Sequence, residues 1–269
     1  MMEAFGYISA LLIGLSLGLL GAGGSILTLP MMVYFFKVEP TQAVRYSMFV
    51  VGSTSMAATI PRLKKGEVLI LQGSIFALIS IIVVYLTRHF LLNLIPPILF
   101  LSEHLILNRE TVNMVAFSVL MLCASKSLIS SRKEENTIRA SKPSELTIIA
   151  VAIMTGLLTG LLGAGGGFLI VPALMMFFHL DIKKAIATSL FIISLNTIAG
   201  FLCDYNQNAT DWKLLVVTTL IALLGSLIGQ QIAVRIPTSA LKKSFGWFIL
   251  TMAIIILAVE GFGLSIHKQ

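Results

Sequence analysis

Two glycine-rich stretches, GLLGAGGSILTLP at 18–30 and GLLGAGGGFLIVP at 160–172, hold the residues of this sequence best suited to bind a solute. Consecutive glycines break a helix, because each costs about 1 kcal/mol there relative to alanine and readily takes a positive φ. Broken backbone at membrane depth leaves N–H and C=O groups that protein, water or ligand must meet, so a break belongs at a cavity. A half-helix restarting around Ser25, and a second from Gly167 onward, would turn free N–H groups and a positive dipole end into that cavity, an arrangement suited to an oxyanion. Gly23, Gly24 and Ser25, with Gly165, Gly166 and Gly167, are the candidate donors. The pairs Gly14/Gly18 and Gly156/Gly160, each four residues apart, instead match the small-residue pattern of close helix contact.

The segments that follow, AVRYSMFVVGSTSMAAT (43–59) and AIATSLFIISLNTIAG (185–200), add side chains. Ser47 and Thr54 lie seven residues apart on one helical face, as do Ser189 and Asn196, and all four are candidates to bond a bound oxyanion. The competing role is interhelical hydrogen bonding, worth about 0.6 kcal/mol on average in membranes. Arg45 would pair with substrate charge if it points inward and snorkels to the interface if it points outward. Lys64, Lys65, Lys183 and Lys184 read as headgroup-facing. His89, His104, His179 and His267 are scattered near segment ends without ligand spacing, so no metal and no cofactor is expected. No phosphate-binding Walker loop and no nucleophile with a histidine at membrane depth is evident, which argues against an ATP-driven pump and against an enzyme.

The elements that must position these groups are set by composition: 269 residues, 57% hydrophobic and 12% charged, with mean hydropathy +0.96. Such values exclude an ordinary soluble domain and predict an all-α polytopic membrane protein embedded in a lipid bilayer. Eight apolar runs, at 5–36, 47–61, 68–87, 111–129, 146–178, 185–203, 213–234 and 245–264, read as about eight transmembrane segments. Glu3 precedes the first run, with no Lys or Arg and no convincing cleavage site, so a retained helix is expected rather than a signal peptide. Residues 90–107, interrupted by Pro96, Pro97, Glu103 and His104, are expected to be re-entrant or surface-lying rather than a further span. The run 5–36 would extend about 48 Å as one helix against a hydrocarbon core of about 30 Å, so it must tilt steeply or break at GAGGS. The net charge of +7 lies in short connections, a pattern of membrane orientation and anionic headgroups rather than nucleic-acid binding. Cys123 and Cys203 read as packing residues.

The chain also repeats itself. An offset of 142 (Gly21 to Gly163) holds without a gap from Gly14 to Ala57, aligning Pro30 with Pro172, Phe36 with Phe178 and Ser47 with Ser189. Two homologous repeats are therefore expected, 1–130 and 146–269, joined by a charged linker at 131–145. Duplicated halves are frequent in secondary transporters, with the substrate site between them near the bilayer midplane. Four spans per half would leave both halves the same way up, and a fifth crossing at 90–107 would invert the second. Loop charges give no clear bias between the two.

These motifs resemble the TauE/SafE family, also called the sulfite exporter or toluene sulfonate uptake permease family. GLLGAGGGFLIVPAL (160–174) with AIATSLF (185–191) is close to its pattern; GLLGAGGSILTLP with AVRYSMF (43–49) departs from it at Ser25, Arg45 and Tyr46. The resemblance covers nearly the whole chain and implies transport of sulfite, sulfonates or related organosulfur and carboxylate anions. It fixes neither substrate nor direction. A membrane-embedded scaffold or assembly factor is the alternative of a different class.

Overall fold

A computed structural model of the chain describes residues 2–21, 27, 28, 31–33, 35–87, 90, 98–102, 105–108, 118, 119, 122, 125, 126, 129, 145–162, 167–203 and 210–266. The helices are α1 (Met2–Leu20), α2 (Pro40–Lys64), α3 (Ile70–Leu86), α4 (Glu145–Leu162), α5 (Gly167–Phe177), α6 (Ile182–Cys203), α7 (Trp212–Arg235) and α8 (Thr238–Ile266). Between α3 and α4, strands β1 (Ile98–Ser102) and β2 (Leu105–Asn108) pair antiparallel. A strand of five residues reaches about 17 Å, short of the hydrocarbon thickness, so neither strand spans a bilayer by itself, and the pair is a local departure from helix among the described residues; apart from Phe90, the rest of 90–107 lies outside them.

The glycine motif ends α1 through its backbone. Gly21 takes φ +78° and donates its N–H to the Leu17 carbonyl at 2.8 Å, a left-handed cap that closes the helix. The chain then reverses: the Phe36 ring lies against Gly6 and stacks edge-on to Tyr7 at 5.3 Å, back at the start of α1. Phe178, 142 residues beyond Phe36, similarly follows α5 and meets Phe76 of α3 at 6.3 Å. Between the steep tilt and the break at GAGGS that the length of 5–36 demands, the helix takes the break, closing at Gly21, the first residue of that stretch. The run makes one helix and a return, because a glycine cap permits a change of direction that a tilted helix would not.

Helix boundaries repeat at the same offset. α1 and α4 end at Leu20 and Leu162, α2 and α6 begin at Pro40 and Ile182, and α3 and α7 begin at Ile70 and Trp212. So do the contacts. Gly14 of α1 presses on the backbone of Ala222 in α7, while Gly156 of α4 meets Ser80 and Val83 of α3. Along α1 and α7 the pairing continues in parallel through Gly18 with Ser226, Gly225 with Leu11 and Gly229 with Leu15, backbone against backbone. A Cβ at any of these glycines on α1 or α7 would collide with a carbonyl, which is the physical demand behind the four-residue spacing.

At the centre α2 crosses α6. Met48 touches Gly200, and Gly52 touches Thr197 and Ile198, so the two helices run antiparallel. Leu174, Ile186, Leu190 and Ile193 pack the interior around α6, while Leu71 and Leu146, 70% and 76% exposed, turn outward as lipid-facing groups do. Of the helices described, α6 and α7 are each long and apolar enough to cross a membrane.

Candidate functional site

Gly23, Gly24, Ser25, Gly165 and Gly166 lie outside the described residues; Gly167 is the first residue of α5. Arg45 is half-buried near the start of α2 and is engaged with a partner. Ser47 donates to the Val44 carbonyl at 2.7 Å, Thr54 to Val50 and Val51, and Ser189 to Ile186 at 2.9 Å, each bonding back to its own helix. Asn196 bonds across helices: its Nδ2 donates to Ser80 Oγ at 2.9 Å, and that hydroxyl donates to the Ala77 carbonyl at 3.0 Å.

The antiparallel crossing sorts these residues by level. Thr54 and Asn196 sit beside the contact of Gly52 with Thr197, near the midpoint of α2 and α6. Ser47 and Ser189 fall on opposite sides of it, about 20 Å apart along the helix axes at 1.5 Å per residue. Same-face spacing on each helix is real, but it does not bring the two serines together.

A second polar locus forms where α2 and α7 end and α6 begins. Arg62, 8% exposed, extends Nη2 to the Gly18 carbonyl at 3.3 Å and holds Nη1 3.8 Å from the Glu67 carboxylate. Its Nε has no partner. Gln230, also 8% exposed, leaves Nε2 unpartnered, and so does the fully buried Ser226 Oγ one turn earlier on α7. Gly18 lies against the backbone of both Ser226 and Gln230, which ties the three to Arg62. A cavity of about 300 Å³ opens there, with Arg62, Lys65, Lys183, Glu67 and Gln230 in its wall. Arg62 is not among the candidates named from sequence; the signal that could have found it is the spacing of Ser55, Thr59 and Arg62 down one face of α2, with Ser226 and Gln230 four apart on α7. No group of three or more His, Cys, Asp or Glu among the described residues forms a metal centre.

A helical bundle with outward apolar faces, backbone-contact glycine seams and buried polar side chains between helices defines an integral membrane protein. Residues 7–256 match the family model described as sulfite exporter TauE/SafE, and the chain belongs to that family of membrane transporters. It is 29% identical over 249 residues to a probable membrane transporter protein of Xylella fastidiosa, covering 91% of each chain. It is 26% identical over 269 residues to the probable membrane transporter protein YunE of Bacillus subtilis, covering 90% of this chain and 89% of that one. A shorter match, 34% over 113 residues, links it to the probable membrane transporter protein MJ0441 of Methanocaldococcus jannaschii, covering 40% of this chain. No solved structure gives a significant match.

Proposed function

We propose that the chain is a multi-pass secondary transporter or facilitator of small anions, such as sulfite, sulfonates or related organosulfur and carboxylate anions, in the cytoplasmic membrane. It is built from two inverted repeats, 1–130 and 146–269, about a pseudo-twofold axis between α2 and α6. The observation that carries this is the antiparallel contact of α2 with α6, equivalent helices under the 142-residue offset. Equivalent helices that cross antiparallel are related by an axis lying in the membrane plane, the arrangement that makes an inward-open and an outward-open state near mirror versions of each other.

The anion path runs along this crossing. Its candidate binding groups are the backbone donors of the two glycine motifs, Gly23, Gly24 and Ser25 with Gly165, Gly166 and Gly167, together with Arg45, Ser47, Thr54, Ser189 and Asn196, which fall at successive levels of α2 and α6. The family's description as a sulfite exporter supports the anion class. Uptake of labelled sulfite into proteoliposomes tests the reading, with Gly24→Leu and Gly166→Leu as variants. Flux above empty liposomes that falls to background in both variants is expected. No flux for any of several sulfur oxyanions and carboxylates overturns it.

A further inference from the structure

We propose that the cavity walled by Arg62 and Gln230 is a binding site for a small free oxyanion at one mouth of the bundle. Three observations converge. The buried atoms left unpartnered in its wall, Arg62 Nε and Gln230 Nε2, both carry hydrogens to donate. Each such group costs free energy until an acceptor reaches it. The charges of the wall favour an anion: Arg62, Lys65 and Lys183 face the single carboxylate of Glu67, which lies 3.8 Å from Arg62, a long contact for an ion pair. The geometry suits an oxyanion in particular. A guanidinium keeps its proton and presents its N–H groups as a planar fork, which meets two oxygens of one anion at once. A chloride ion would satisfy the fork less well, and a cation would meet net positive charge.

The site is assembled from both halves of the chain. Arg62, Lys65 and Glu67 come from α2 and the turn after it; Lys183 and Gln230 come from α6 and α7. Gly18, inside the first glycine motif, accepts from Arg62 and abuts Gln230, so an anion at this mouth touches the residues that hold α1 against α7. Binding itself stands independently of transport; its role as the entry or exit station of the anion path rests on the transporter reading above.

The test uses purified full-length protein in phosphatidylcholine nanodiscs. Thermal midpoint and calorimetric affinity are measured for sulfite, sulfate and thiosulfate, with chloride as control at constant ionic strength, and in parallel nanodiscs containing phosphatidylglycerol. The variants are Gln230→Met, which keeps volume and removes the amide, and Arg62→Lys, which keeps charge and removes the fork. At least one free oxyanion is expected to raise the midpoint where chloride does not, and each variant to weaken its affinity about tenfold, the size of one lost charge-assisted bond. Unchanged affinity in Gln230→Met overturns the site even if Arg62→Lys fails to fold. So does stabilisation by phosphatidylglycerol alone, which would make the occupant a lipid headgroup. Oxyanion flux with unchanged KM in Gln230→Met and no measurable binding sinks the site and leaves transport standing; binding without flux does the reverse.

Discussion

The Asp211 backbone N–H donates to the Tyr46 hydroxyl at 2.6 Å, and 142 residues away from each partner the Leu69 N–H donates to Thr188 Oγ1 at 3.2 Å. Each bond ties the residue just before α3 or α7 to the opposite half's central helix. Tyr and Thr share only a hydroxyl, so what recurs at the two positions is the acceptor. Tyr46→Phe and Thr188→Val should each cost about 1 kcal/mol, the net worth of one hydrogen bond. The bonds lie at opposite ends of the α2–α6 crossing, so a double variant should show additive losses to within about 0.5 kcal/mol in denaturation of the purified protein.

The glycine seam predicts a sharper response. Gly14→Ala or Gly18→Ala places a methyl group on the Ala222 or Ser226 carbonyl, and about 1–3 kcal/mol of stability should be lost as α1 is forced off α7. Gly66→Ala meets nothing within 4 Å but sits at φ +66°, so its cost should be a backbone one of about 1–2 kcal/mol. Thermal midpoints of the three variants check both, and adding bulk separates them: Gly18→Leu should prevent assembly while Gly66→Leu resembles Gly66→Ala.

Asn196 offers a way to separate packing from substrate contact. Its bond to Ser80 should show a coupling of about 0.6 kcal/mol in a Ser80→Ala, Asn196→Ala cycle. If Asn196 also meets the anion, Asn196→Ala raises the transport KM while Ser80→Ala leaves it near the parent value. Equal KM changes in both variants would assign Asn196 to packing alone.

The proposed inversion of the halves has a direct chemical readout. On a background lacking Cys123 and Cys203, Lys64→Cys, at the last residue of α2, and Asn206→Cys, 142 residues on and just past the last residue of α6, supply the thiols. A membrane-impermeant maleimide added to intact cells should label one and not the other, with the pattern reversed in inside-out vesicles. Labelling of both from the same side would rule out inverted repeats.

Much of the fold is legible in the sequence because local physics writes it there. Gly21 marks the end of α1, since only glycine enters the left-handed region freely, and the same residue type recurs where α4 gives way to α5. The spacing of Gly14 and Gly18 announces a helix contact, although not that its partner is α7. The site is less legible. The hydroxyls of Ser47, Thr54 and Ser189 share a face with their neighbours, yet their hydrogens turn to carbonyls of their own helices, a choice that rotamer and local backbone make.

The sequence by itself determined an apolar, helix-forming chain whose glycine motifs recur at an offset of 142, because composition and periodicity are local properties of the polymer. Tertiary structure alone decided direction. A run long enough to tilt across the bilayer instead returns on itself to set Phe36 against Tyr7, and α2 meets α6 antiparallel. It also decided where Arg62 and Gln230 lie. Neither residue's neighbours in sequence point to the other, and only the backbone contact of α1 with α7 at Gly18 brings a buried guanidinium and a buried amide to the same cavity.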